Sequence, residues 1–240
     1  MTLHRLPLAF IALLSLCHRA DAQFLAPDDP TPAHAVLRNA DRMKGMDSIE
    51  LTESSLKIFN KKKKLLATLT PADFPDTFMS PSRGMRKAGR IIGASLSPSK
   101  NKILAAIGTG DGAWIALIDP KKKEIKQISR PHYSALLPIN EDLFSWSPDK
   151  KKFFILGVLG ESAPTINAYD IDTGKPFPSR DTAAEYSETI LQLSVDSDFS
   201  DIKWEKDSNN ISFIATSSEE PTEEKKFRLN LLTAKLEGIK

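Results

Sequence analysis

The sequence is poor in residues that bind metals or act as nucleophiles, because its 240 residues include one Cys and four His. The cysteine, Cys17, lies in an N-terminal segment that we expect to be removed, which leaves the histidines His34 and His132. A mature chain of this kind has no thiolate metal ligand, no cysteine nucleophile and no disulfide. It must therefore rely on an apolar core alone.

The sequence also lacks long apolar runs and a strong charge of either sign. No run approaches the roughly 18 to 20 apolar residues of a membrane-spanning helix. Lys and Arg number 33 against 31 Asp and Glu, and 40% of the residues are hydrophobic. This balance argues against a disordered chain and against a strongly basic nucleic-acid-binding protein.

The N-terminus has the parts of an export signal in their usual order. Arg5 precedes a short apolar stretch at residues 6–17, and the small residues Ala20 and Ala22 follow it. This order predicts a signal peptide that is cleaved between Ala22 and Gln23. We therefore expect an exported protein, either periplasmic or extracellular.

The alternative for this segment is a lipid anchor on Cys17. It requires a small residue before the cysteine, whereas Leu16 is large. We therefore divide the chain into a cleaved signal peptide at residues 1–22, a tether and short helix at residues 23–46, and a main domain at residues 47–240.

A pattern of one large apolar residue, a polar turn and an apolar strand occurs three times after residue 90. The large residues are Leu96, Trp146 and Trp204, and each strand begins seven residues later. The predicted strands are residues 103–107, 153–156 and 211–215.

A second kind of turn recurs in phase with the first, between short runs of alternating apolar residues. The four copies are Phe59-Asn60-Lys61-Lys62, Ile118-Asp119-Pro120-Lys121, Ile171-Asp172-Thr173-Gly174 and Leu231-Leu232-Thr233-Ala234. Asn, Asp, Pro and Gly favour hairpin turns, and a period of two favours strands. Each unit of about 50 to 60 residues then holds four strands, as in a β-propeller blade.

The best-preserved unit resembles the TolB-type propeller repeat. Residues 144–156, FSWSPDKKKFFIL, contain a W-S-P-D turn before an apolar strand, and residues 169–175, YDIDTGK, contain a blade-closing turn. Lys150 stands where that family has Gly. The resemblance covers residues 91–240 and implies a propeller fold in a periplasmic or secreted protein, but such repeats say almost nothing about function.

The predicted fold is all-β: a small or incomplete β-propeller of three to four four-stranded blades with a short N-terminal helix. Three units are complete, and residues 48–69 supply the outer hairpin of an earlier one. Either residues 23–55 complete a fourth blade and the ring closes, which we expect, or the chain is an open arc whose edges need a partner.

The N-terminal helix is predicted over residues 31–45. Thr31 and Pro32 suit its start, and Gly45 suits its end. Apolar residues recur at helical spacing between them, namely Ala33, Val36, Leu37, Ala40 and Met43. We expect the helix to pack against the propeller wall; the alternative is a mobile arm that binds a partner.

Lysines are concentrated in turns that should emerge at one face of the propeller. The candidate interaction surface consists of Lys61, Lys62, Lys63, Lys64, Lys121, Lys122, Lys123, Lys150, Lys151 and Lys152. Most acidic residues map to the opposite face. We expect the lysine face to contact an anionic surface, such as lipid headgroups or an acidic protein partner. The alternative is that these lysines only keep the sheet edges soluble and unpaired.

The predicted function is non-catalytic: binding or scaffolding between proteins of the cell envelope. The sequence has no G-x-S-x-G motif, and its spacing of His and acidic residues matches no metal-binding motif, so we predict no catalytic residue, no cofactor and no metal. Nucleic acid is not an expected partner. The alternatives are a propeller hydrolase that acts on a glycan or peptide through carboxylates, and a ligand sensor that signals through the 31–45 helix.

Overall fold

The computed structural model describes residues 33–80, 84–110, 112–128, 135–137, 139, 142–159, 163–177, 197–217 and 222–239. The predicted signal peptide, the tether and His132 lie outside these residues. The regular secondary structure of the described part is β-strand apart from two short 3-10 turns, at Ala40–Met43 and Pro71–Asp73. None of its helices has the length and apolarity needed to cross a membrane.

The strands form one sheet after another in chain order. The first strand is β1 (His34–Val36), and the first sheet contains β2 (Met46–Leu51), β3 (Leu56–Asn60) and β4 (Leu65–Leu69). A separate hairpin follows, made of β5 (Thr77–Ser80) and β6 (Gly84–Arg86). The second sheet contains β7 (Arg90–Leu96), β8 (Ile103–Gly108), β9 (Ala113–Asp119) and β10 (Glu124–Gln127).

Two further sheets complete the described chain. The third contains β11 (Ala135–Leu137), β12 (Ser145–Trp146), β13 (Lys152–Leu159), β14 (Ala163–Asp170) and β15 (Pro176–Phe177). The fourth contains β16 (Ser197–Trp204), β17 (Asn210–Ser217), β18 (Glu224–Asn230) and β19 (Leu236–Ile239). All pairs are antiparallel, so the fold is all-β and forms a small or incomplete propeller of consecutive meanders.

The predicted N-terminal helix is absent from residues 33–45. Instead, β1 pairs with the edge of β10, and the 3-10 turn Ala40–Met43 follows it. Leu37 and Met43 are buried in this conformation, so their spacing reflects packing against the sheets. A backbone bond also ties the segment to the turn before β10: the Leu37 N–H donates to the carbonyl of Lys123 at 2.9 Å.

The second sheet is covered on both of its faces. Alternate residues of β8 and β9 divide between two buried clusters, with Ile103 and Trp114 facing the first sheet and Leu104 and Ile115 facing the third. Every residue of β9 is buried. A strand covered on both faces needs apolar residues at successive positions, which accounts for the run AWIALI.

Buried apolar clusters join the first sheet to the second, the second to the third and the third to the fourth. Within the described ranges no such cluster joins the fourth sheet back to the first. The outer faces of these two terminal sheets carry charged residues beside a few apolar ones, with Glu50, Lys57 and Phe59 on the first and Ile214, Lys226 and Arg228 on the fourth. The buried clusters of the described residues thus join the four sheets in chain order.

The second kind of turn is built in the same way in all four sheets. The residue that ends the third strand of each unit accepts backbone N–H bonds through its side-chain oxygen from residues two to four places ahead. These residues are Asn60, Asp119, Asp170 and Asn230. In the last two units the equivalent position therefore lies two residues earlier than the sequence pattern placed it.

The tryptophans of the first turn pattern connect neighbouring sheets. The Trp146 Nε1 donates to Ser95 Oγ of the second sheet at 2.9 Å, and the Trp204 Nε1 donates to the carbonyl of Ser145 of the third sheet at 3.1 Å. Both rings also pack against phenylalanines of the third sheet. The repeated tryptophan is therefore a structural residue of this fold.

The residue at the Gly position of the repeat has a left-handed backbone: φ is 62° at Lys150, and 54° and 58° at its equivalents Lys100 and Ser208. We expect Lys150→Gly to raise the free energy of unfolding by about 0.5 kcal/mol, because relief of left-handed strain outweighs the added freedom of Gly in the unfolded chain. Urea denaturation measures the change. Lys151→Gly is the control and should destabilise, since its φ is not positive. Equal losses in both variants would show that the turn is unstrained.

Candidate functional site

The turns that carry the predicted lysines lie at one end of the sheets, the turn end. In an antiparallel meander the first and third turns emerge on the same side. The turn end comprises residues 60–64 of the first sheet, 97–102 and 119–124 of the second, 147–152 and 170–175 of the third, and 205–210 and 230–235 of the fourth. All ten residues of the candidate interaction surface fall in these ranges.

Polar groups of neighbouring sheets are joined across the turn end. The Lys100 Nζ of the second sheet lies 2.5 Å from a carboxylate oxygen of Asp47 of the first. Between the third and fourth sheets, the backbone N–H of Asp149 donates to Ser208 Oγ at 3.0 Å. The hydrogen bond from Lys100 holds the pKa of Asp47 below its usual value.

The second and third sheets are joined by Lys102, whose side chain is only 8% exposed. Its Nζ donates to a carboxylate oxygen of Asp172 at 2.5 Å and to the carbonyl of Ile171 at 3.2 Å. It also lies 3.7 Å from the carboxylate of Asp119, which is 3% exposed. The bond from Lys102 lowers the pKa of Asp172. Lys102 is not one of the ten lysines of the candidate interaction surface, and its burial makes it a link between the two sheets.

Lys152 occupies the equivalent place one sheet later. Its Nζ donates to the carbonyl of Ser208 at 3.1 Å and to Asn209 Oδ1 at 3.2 Å, both in the fourth sheet. Lys152 was predicted as part of the candidate surface. Its side chain is instead largely buried and acts as a link between the third and fourth sheets.

Three more of the predicted lysines have exposed partners. Lys63 Nζ donates to Ser48 Oγ at 3.3 Å, Lys122 Nζ to the carbonyl of Asp172 at 3.4 Å, and Lys123 Nζ lies 2.9 Å from Asp41. Exposed contacts of this kind contribute about 0–1 kcal/mol each, so these side chains can exchange partners readily.

The remaining predicted lysines are exposed, and in the described part of the chain their Nζ atoms form no hydrogen bond or ion pair. They are Lys61, Lys62, Lys64, Lys121, Lys150 and Lys151. Lys61 helps to lower the pKa of Asp47, and Lys151 that of Asp172. The charges of these two lysines are therefore partly offset by the carboxylates. Lys62, Lys64, Lys121 and Lys150 therefore carry most of the unbalanced positive charge of the candidate surface.

His34, in β1, has its Nδ1 3.7 Å from Glu124 and is largely exposed. Among the described residues, no three His, Asp or Glu side chains lie together as metal ligands. The connection between β4 and β7 contains the turn Pro71–Asp73 and the β5–β6 hairpin.

No protein-family model matches the sequence, and no curated protein matches it. Similar solved structures include TolB from Acinetobacter baumannii, at 16% identity and a TM-score of 0.40, over 94% of this chain and 45% of that chain. The β-propeller domain of the Trilobed protease from Pyrococcus furiosus is 14% identical, with a TM-score of 0.48, over 81% of this chain and 52% of that chain. An oligogalacturonate lyase from Vibrio parahaemolyticus is 13% identical, with a TM-score of 0.40, over 88% and 48%. The chain thus spans about half the length of these structures, and the likeness concerns the fold alone.

Proposed function

We propose that this protein is an exported, non-catalytic binding module that docks an acidic protein of the cell envelope through the turn end. The N-terminal pattern of Arg5, an apolar stretch and Ala22 supports export. The observation that carries the docking proposal is the unbalanced charge of Lys62, Lys64, Lys121 and Lys150, which lies among lysines that are already paired.

The backbone that presents these lysines is fixed before a partner arrives. Asn60 Oδ1 accepts the N–H groups of Lys62 and Lys64, and Asp119 Oδ1 accepts that of Lys121. A surface that is already ordered loses less conformational entropy on association. The proposed docking surface is therefore a row of mobile ammonium groups on rigid turns, which suits a complementary acidic surface and speeds encounter with it.

Removing the unbalanced lysines should weaken docking. We expect a variant with Lys62→Gln, Lys64→Gln, Lys121→Gln and Lys150→Gln to capture about tenfold less of its partner than the unaltered chain does. The reason is that several favourable charge contacts are lost at once. The measurement is affinity capture of partners from native envelope extract by the tagged chain, quantified by mass spectrometry at low and moderate salt.

The matched control loses the same charge elsewhere, through Lys57→Gln, Lys87→Gln, Lys225→Gln and Lys226→Gln, all outside the turn end. It should capture the same partner as the unaltered chain. Equal capture by both variants would contradict the proposal. If the turn-end variant instead loses only its binding to phosphatidylglycerol vesicles, and no protein is captured in a lysine-dependent way, the ligand is a lipid surface and the protein-docking proposal is wrong.

A further inference from the structure

Within the described residues, the first sheet has fewer strands than the second, third and fourth sheets. The loop between β2 and β3 closes through a bond from the Thr52 N–H to the Ser55 carbonyl at 2.8 Å, as Thr109 bonds Gly112 between β8 and β9. β2 is therefore the equivalent of β8, β13 and β17. Those strands pair on their other edge with β7, with β11 and β12, and with β16. No strand of the described residues pairs with that edge of β2.

The backbone of β2 presents bonding groups to this open edge. Bonded and non-bonded pairs alternate along an antiparallel ladder. Since the Thr52–Ser55 pair is bonded, the Glu50–Lys57 pair is bonded as well, and the intervening Leu51–Leu56 and Ile49–Ile58 pairs are not. The N–H and C=O groups of Ile49 and Leu51 consequently point away from β3. This is the geometry that accepts another strand.

The side chains beside the edge define what such a strand should carry. Ile49 and Leu51 share the face of β2 that packs on the second sheet, and Leu51 is still 39% exposed. On the opposite face, Glu50 is 59% exposed, and its nearest cation, Lys57, is 4.0 Å away. An open depression of about 370 Å³ lies beside β2 and is lined by Ser48, Ile49, Glu50, Phe59 and Lys63.

We propose that the open edge of β2 binds an extended segment of a partner protein by strand addition. The segment runs antiparallel to β2, as β7, β12 and β16 run antiparallel to their neighbours. It carries apolar residues opposite Ile49 and Leu51 and a basic residue opposite Glu50. β2 already contacts β7 of the second sheet, so the added strand extends an existing interface. Main-chain bonds supply affinity in this mode, and the alternate side chains supply specificity.

The test uses the whole chain and a fluorescein-labelled peptide, Ser-Thr-Val-Lys-Val-Thr-Ser, with fluorescence anisotropy as the readout. The two Val residues face Leu51 and Ile49 in the proposed register, and the Lys faces Glu50. N-methylation of both Val residues removes their donors and keeps the side chains, so it should weaken binding at least tenfold. Ile49→Pro removes the Ile49 N–H, which β3 does not use, and should weaken binding by a similar factor.

Glu50→Lys provides an independent check that does not alter the backbone. It should weaken binding of the Lys peptide about tenfold and strengthen binding of a peptide with Glu in the central place. The variant that lacks the four turn-end lysines should bind as the unaltered chain does, which separates this proposal from the proposed function. Equal binding of the methylated and unmethylated peptides would overturn strand addition. Unchanged peptide binding in both the Ile49→Pro and the Glu50→Lys variants would overturn it as well. A dimer seen by light scattering and dissociated by Ile49→Pro would show that the occupant is a second copy, and would overturn the proposal as stated.

Discussion

Replacing Phe153 by alanine is expected to lower the free energy of unfolding by about 3–5 kcal/mol. The ring is completely buried in the cluster between the second and third sheets. It stacks on Tyr169 at a centroid distance of 5.3 Å and meets Phe144 edge-on at 6.1 Å. Alanine would remove both contacts and leave a cavity that rigid strands on either side cannot fill. The shift in the urea midpoint, with the slope of the transition, measures the loss.

The matched control is Phe59→Ala. Phe59 is partly exposed on the outer face of the first sheet, where none of the other described sheets covers it. The same change of side chain should cost about 1 kcal/mol there, because little packing is lost. Losses of similar size at the two positions would mean that the interface between the second and third sheets does not depend on the Phe153 cluster.

The strands at the centre of each sheet could be predicted from sequence because their signals are local. The predicted strands 103–107, 153–156 and 211–215 lie within β8, β13 and β17. Each follows a polar turn whose hydrogen bonds are made by nearby side chains: Ser97 Oγ accepts the Lys102 N–H, and Ser147 Oγ accepts the Lys152 N–H. A window of about ten residues contains everything that such a turn needs.

The N-terminal segment could not be predicted in this way. Its apolar spacing satisfies a helix, yet β1 and the turn Ala40–Met43 bury Leu37 and Met43 equally well. The choice depends on whether the edge of β10 is available to accept β1, and β10 lies far along the chain. Local propensity has no access to a pairing of that kind.

The candidate surface was predictable in position but not in charge. Meander geometry alone brings the lysine-bearing turns to one end. The sequence predicts that most acids lie on the opposite face, whereas Asp41, Asp47 and Asp172 bind lysines at the turn end itself. Asp172 reaches Lys102 across 70 residues of sequence. Which lysines remain unpaired therefore depends on how neighbouring sheets are placed.

Lys102→Ala is expected to lower the free energy of unfolding by about 3 kcal/mol, because it leaves a buried carboxylate without its cation. Asp119 is 3% exposed and lies 3.7 Å from the Lys102 Nζ. The carbonyl of Ile171, which accepts from Lys102 at 3.2 Å, loses its donor as well. Urea denaturation at neutral pH measures the loss.

Lys100→Ala is the matched control, because Lys100 is two residues away and its ion pair with Asp47 is 51% exposed on the lysine side. It should cost less than about 1 kcal/mol of unfolding free energy.

The pH dependence of stability gives a second check. The pKa of Asp172 is lowered in the folded state, first of all by the bond from Lys102, so the pair stabilises the fold above the usual Asp pKa of about 3.9. That contribution is lost as the pH falls through the lowered pKa, and the difference in stability between the Lys102→Ala variant and the unaltered chain should shrink there. A difference that stays constant from pH 7 into the acid range, or equal losses in the two lysine variants, would mean that the charge on Lys102 does not hold the second and third sheets together.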